Sequence, residues 1–177
     1  YVKGTQSEGV LTSIKHFPGH GDTATDSHLG LPVIDKTKAE LLANELYPFQ
    51  QLINEGVDSV MVGHLSVPAL TNNTNLPSSI NKDIITGVLR NEMGFDGVVI
   101  SDALNMHAVS KNYTTPGELE WLAFDAGNDV LCFAEHIEDG IQMILENVTE
   151  AQINKSIERI WNLKVKAIGR KDIPEKL

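Results

Sequence analysis

Four short apolar runs punctuate the chain: residues 11–16 (LTSIKH), 59–64 (SVMVGH), 97–102 (GVVISD) and 129–133 (DVLCF). Val60-Met61-Val62 and Val98-Val99-Ile100 are continuous, not alternating. A strand that is apolar on both faces is buried on both, as strands of parallel sheets are. Between the runs the apolar spacing becomes helical. Leu42, Leu46, Phe49 and Ile53 recur at that spacing after a capping-box pattern at Thr37 and Glu40. Pro48 falls within this segment and predicts a kink, because it removes a donor and crowds the preceding turn. Asn81 is a candidate N-cap for a helix carrying Ile84, Ile85, Val88 and Leu89, with Gly94 as its stop. Thr115-Pro116-Gly117-Glu118 predicts a third start, with Thr115 as cap and Pro116 in the first helical position. Ile137, Ile141, Ile144 and Leu145 mark a fourth helix. Thr149 with Gln152 caps a fifth, whose Ile153, Ile157, Ile160 and Ile168 are expected to face inward.

Strands and helices therefore alternate, which predicts an α/β fold with right-handed crossovers and a parallel sheet. Residues 72–79 (NNTNLPSS) read as a polar loop, and residues 170–177 as a charged tail. At 177 residues the chain is long enough for one domain. Fourteen basic residues against 24 acidic ones leave a net charge of −10. That disfavours nucleic-acid and anionic-membrane partners, which need cationic surface. The single cysteine cannot form an internal disulfide, and no apolar run approaches the ~20 residues of a membrane span.

Candidate chemistry gathers where the strands end, which is where parallel α/β folds build their sites. The first run ends in Lys15-His16, the second in His64 and the third in Ser101-Asp102. The loop that follows Lys15-His16 holds His20, Asp22, Asp26 and His28 among several glycines. Asp26 lies two residues from His28, and a carboxylate bonded to one ring nitrogen raises the basicity of the other. On spacing alone, that pair is either a proton-transfer dyad or a turn with a surface histidine. Asp102 is either a cap for the next helix or a site residue, and His64 either a packed histidine or a ligand contact. Lys15 and His16, adjacent on a strand, point to opposite faces unless both lie at its very end. His16, His20, Asp22, Asp26 and His28 also form a possible metal-ligand set, but none of the histidines has the spacing of a zinc-binding helix.

Taken in order, three segments resemble a known family. KHFPGHGDTATDSH (residues 15–28), VMVGHLSVP (60–68) and GFDGVVISDALNM (94–106) are similar to the signatures of the β-N-acetylhexosaminidase branch of glycoside hydrolase family 3. The likeness spans about residues 1–168. It implies a retaining glycosidase on a TIM-type (β/α)8 barrel, acting on terminal non-reducing β-linked N-acetylglucosamine in glycans or muropeptides, with no metal or organic cofactor. Asp102 matches the family's nucleophile, and His28 with Asp26 its loop-borne acid/base pair. Lys15 and His16 match residues that bond sugar hydroxyls, and His64 a position lining the sugar pocket. Family members occur both in the bacterial cytoplasm and as exported proteins, so the compartment stays open.

Such a barrel has eight strands and about 250 residues. The four runs match strands five to eight. The expectation is therefore a parallel (β/α) half-barrel over residues 1–169, the C-terminal part of the catalytic barrel. It would need the missing N-terminal half-barrel, or a second copy, as partner, and would have little or no activity by itself.

Overall fold

A computed structural model describes residues 1–20 and 30–168. The chain opens with a short helix, α1 (Val2–Gln6), and enters β1 (Ser13–Phe17). Two helices, α2 (Lys38–Ala43) and α3 (Leu46–Asn54), lead to β2 (Ser59–Val62). Single 3-10 turns at Pro68–Leu70 and Ser78–Ile80 precede a π-helix, Asp83–Glu92, and β3 (Val98–Ser101) follows. Helices α4 (His107–Ser110), α5 (Glu118–Ala126), α6 (Ile137–Asn147) and α7 (Glu150–Ile168) complete the described chain.

The three strands form one parallel sheet in the order β1-β2-β3. Val60, Val62, Val99 and Ser101 share one face and are fully buried. Met61 and Ile100, partners on the other face, are only half-buried. Ser59 and Val98 on that second face are buried, so the expectation of burial on both faces fails at Met61 and Ile100, while Val60, Val62 and Val99 lie on the helix-covered side. Phe17, Leu41, Leu46, Ile84, Ile85 and Leu89 fill the space between that side and the helices. Phe17 meets Phe49 edge-on, with ring centroids 5.2 Å apart.

The fourth apolar run does not become a strand. Val130 makes a single bridge to Ile100. Side chains take the places of the next ladder partners: Asp129 Oδ2 accepts the Val99 N–H at 2.9 Å, and Ser101 Oγ accepts the Cys132 N–H at 3.1 Å. Phe133, at φ +49°, then turns the chain away.

Helix ends follow local chemistry more closely. Thr37 and Glu40 form the expected capping box, the Thr37 N–H donating to Glu40 Oε2 and the Glu40 N–H to Thr37 Oγ1. The kink expected at Pro48 is instead a break at Asn44, with Pro48 in the first turn of α3, where a missing N–H is harmless. Asn81 Oδ1 accepts the Asp83 N–H at 2.9 Å, and Gly94 at φ +72° ends that helix. The third start lies later than predicted, at Glu118. Gly117 adopts φ +80°, and a Cβ there would lie 2.4 Å from the Asp139 carbonyl carbon. Close packing of α5 on α6 therefore sets that boundary, not the Thr115-Pro116 signal. On α7, Thr149 Oγ1 accepts the Gln152 N–H as expected. Ile157 and Ile168, expected inside, are exposed. Polar groups anchor α7 instead: Arg159 pairs with Asp96 and Asp129, and Lys166 with Asp58.

Candidate active site

At the carboxyl end of β1 the register to β2 shifts between Ile14 and Phe17, and the Lys15–His16 and Phe17–Pro18 peptide bonds are cis. The register shift re-aims the two side chains of the Lys15-His16 pair, as bulges do. Both line a cleft of about 340 Å3, together with Gly19, His20, Asn44 and Glu45. Gly19, at φ +130°, lets the turn pass against Glu45, because a Cβ there would come within 2.7 Å of the Glu45 Cβ.

Asp102 follows β3 directly, and its N–H donates to the Val62 carbonyl at 2.9 Å. Its side chain is 19% exposed and opens into a second recess with Ala103, Asn105, Met106 and His107. Asp102 Oδ1 accepts the Ala103 N–H at 2.9 Å. Asp102 Oδ2 lies 3.8 Å from His16 Nε2, so the two clefts meet at this pair. Burial pulls the His16 pKa below its ordinary value. Asp102 opposes that shift, while Lys15, His20 and His64 reinforce it. A neutral imidazole beside an accessible carboxylate can exchange hydrogen bonds with hydroxyl groups, whereas the carboxylate alone can attack an electrophilic carbon.

His64 is fully buried. Its Nε2 donates to the Ala103 carbonyl at 2.9 Å, and its Nδ1 lies 2.7 Å from Ser79 Oγ. Both ring nitrogens are thus engaged within the protein. Sequence reasoning missed Ser79, which it placed in a polar loop. Ser78 and Ser79 are fully buried, Ser78 donating to the Leu65 carbonyl at 2.6 Å. The spacing of SS in NNTNLPSS carries no signal for this, since the partners come from other segments.

Asp26 and His28 lie outside the described residues, as does Asp22. Among the described residues no three His, Cys, Asp or Glu side chains are grouped as a metal ion requires.

The match to known proteins is extensive. Residues 1–163 match the family model described as the glycosyl hydrolase family 3 N terminal domain. The chain belongs to glycosyl hydrolase family 3. Beta-hexosaminidase A of Pseudoalteromonas piscicida is 31% identical over 189 residues, covering 93% of this chain and 31% of that protein. A family 3 β-N-acetylglucosaminidase from Paenibacillus sp. str. FPU-7 superimposes with a TM-score of 0.87 at 37% identity, covering 99% of this chain and 35% of that one. A beta-glucoside phosphorylase superimposes with a TM-score of 0.84 at 28% identity over 98% of this chain and 34% of its own. This family 3 chain therefore spans about a third of the length of these relatives.

Proposed function

We propose that the protein carrying this chain is a retaining glycosidase that removes terminal non-reducing β-linked N-acetylglucosamine from glycans. Asp102 attacks the anomeric carbon as a carboxylate while the bond to the leaving oxygen breaks. His28, held by Asp26, gives that oxygen its proton. Water then attacks the glycosyl–Asp102 ester, and His28 takes the water's proton as the ester bond breaks. Lys15 and His16 hold the sugar hydroxyls. The observation that carries this reading is the Asp102 carboxylate, partly exposed beside His16 at a strand end. The names of the relatives supply the sugar.

The half-exposed face of the sheet at Met61 and Ile100 supports a need for more barrel. So does the exposed row Ile137, Ile141 and Leu145 along α6. We place the missing N-terminal half-barrel, or a second copy, against these surfaces, and expect residues 1–177 alone to be inactive. A β-glucosidase-like specificity is the second reading, favoured by the beta-glucoside phosphorylase likeness.

The test assays the full-length protein on aryl β-N-acetylglucosaminide and aryl β-glucoside side by side. The first substrate should be turned over faster, and Asp102→Ala should lower kcat by at least ~10^3-fold. Preference for the glucoside supports the second reading. Full activity in Asp102→Ala refutes the nucleophile assignment.

A further inference from the structure

We propose that His64 is a positioning residue for the Asp102 nucleophile, acting through the Ala103 carbonyl. The inference rests on the reading of Asp102 given above. Three consecutive peptide units follow the end of β3. The first is pinned by the Asp102 N–H on the Val62 carbonyl. The third is pinned at both ends: its carbonyl, that of Ala103, accepts from His64 Nε2 at 2.9 Å, and its N–H, that of Leu104, donates to the Cys132 carbonyl at 2.9 Å. The middle unit, held between them, directs the Ala103 N–H onto Asp102 Oδ1. One carboxylate oxygen is thereby committed to the backbone. The other, Oδ2, faces His16 and the clefts.

The chemistry fixes which ring nitrogen carries the proton. A carbonyl only accepts, so Nε2 is the N–H, and a neutral ring then accepts at Nδ1 from the Ser79 hydroxyl. Ser79 is itself fully buried, and its carbonyl accepts from Asn128 Nδ2 at 2.8 Å. Burial lowers the His64 pKa, which keeps the ring in this neutral form. His64 and Ser79 are fully buried, and only Ala103, at the end of the path Ser79–His64–Ala103, reaches the recess beside Asp102. A glutamine fits the same role, since its amide nitrogen reaches about as far as Nε2 and can donate to the same carbonyl. Leucine fills similar space and cannot donate.

The test uses the full-length protein and an activated 5-fluoro N-acetylglucosaminyl fluoride, which traps the glycosyl-enzyme. Intact mass gives the trapping rate constant and the final stoichiometry, and peptide mapping gives the labelled residue. A variant that merely folds less well changes the stoichiometry, not the rate constant. His64→Leu should trap 10-fold to 100-fold more slowly on the order of a lost buried hydrogen bond. His64→Gln should stay within a few-fold of wild type, and Ser79→Ala should fall by a few-fold. Inhibition by free N-acetylglucosamine should be unchanged in all three. If His64→Leu does not fold, His64→Asn, whose amide stops short of Ala103, replaces it with the same expected loss. Equal trapping rates in the Leu and Gln variants overturn the positioning role. So does weakened N-acetylglucosamine binding with normal trapping. Label on a residue other than Asp102 overturns the nucleophile assignment itself, and the positioning role with it.

Discussion

Asp129 stands where the fourth strand would have begun, and its replacement tests how the end of the sheet is built. Its carboxylate is 1% exposed and accepts from the Val99 N–H at 2.9 Å, from Arg90 Nη2 at 2.8 Å and from Arg159 Nη1 at 3.4 Å. Arg90 is itself 10% exposed. Opposite unit charges at that separation attract by roughly 6 kcal/mol at an effective dielectric constant of about 20. Desolvation offsets much of this, but removing one partner of a buried pair costs about 3–5 kcal/mol, because the other charge is stranded. Asp129→Asn keeps an oxygen for Val99 and strands Arg90. The guanidinium retains the carbonyls of Phe95, Gly97 and Gly127, which places the loss at the lower end, about 3 kcal/mol. In a domain of this size that is a fall in Tm of roughly 6–12 °C. Thermal unfolding followed by circular dichroism measures it, beside Arg90→Met and the double variant. Removing both charges should recover part of the loss, so the double variant should lose less than the sum of the single ones. A Tm shift below about 2 °C in Asp129→Asn, or strict additivity, would refute the reasoning.

Two further outcomes follow from burial and close packing elsewhere in the protein. His16 and His64 both have pKa values drawn below the ordinary imidazole value by burial, so near pH 6 and below the unfolded chain binds more protons than the native one. Stability is then fully present above about pH 6.5 and is lost as the pH falls through that value. The Tm should drop between pH 7.5 and pH 5.5, and less steeply in His64→Gln; a flat profile contradicts the burial argument. Gly117→Ala puts a Cβ within 2.7 Å of three backbone atoms of Asp139 and Gly140 at φ +80°. Left-handed backbone alone costs about 1–2 kcal/mol for a residue with a Cβ. Urea unfolding should show a loss above that, and a smaller one means that α5 and α6 separate easily.

Local signals were legible wherever the partner lies a few residues away. The Thr37–Glu40 box, the Asn81 cap, the Gly94 stop and the Thr149–Gln152 contact all formed. Those that failed competed with groups distant in the chain. Thr115-Pro116 lost to the backbone of Asp139–Gly140, and the 129–133 run lost its ladder to the side chains of Asp129 and Ser101. The same holds at the site. Asp102 at the end of an apolar strand, and the Lys15-His16 pair at the end of another, could be named from sequence because strand ends are local features.

By itself, then, the sequence determined the alternation of strands and helices, the parallel sheet and the residues offered at its carboxyl ends, since periodicity and motifs are written within short windows. It determined the family as well, because the motif segments keep their order. Only the tertiary structure decided that His64 is buried between Ser79 and the Ala103 carbonyl. It also decided that two serines in a polar stretch are core, and that Met61 and Ile100 on the second face of the sheet are only partly covered. Each of these depends on which groups meet across 15 to 39 positions of chain, as His64 meets Ser79 and Ala103. Burial and hydrogen bonding at such distances are properties of the packed chain, and no local pattern encodes them.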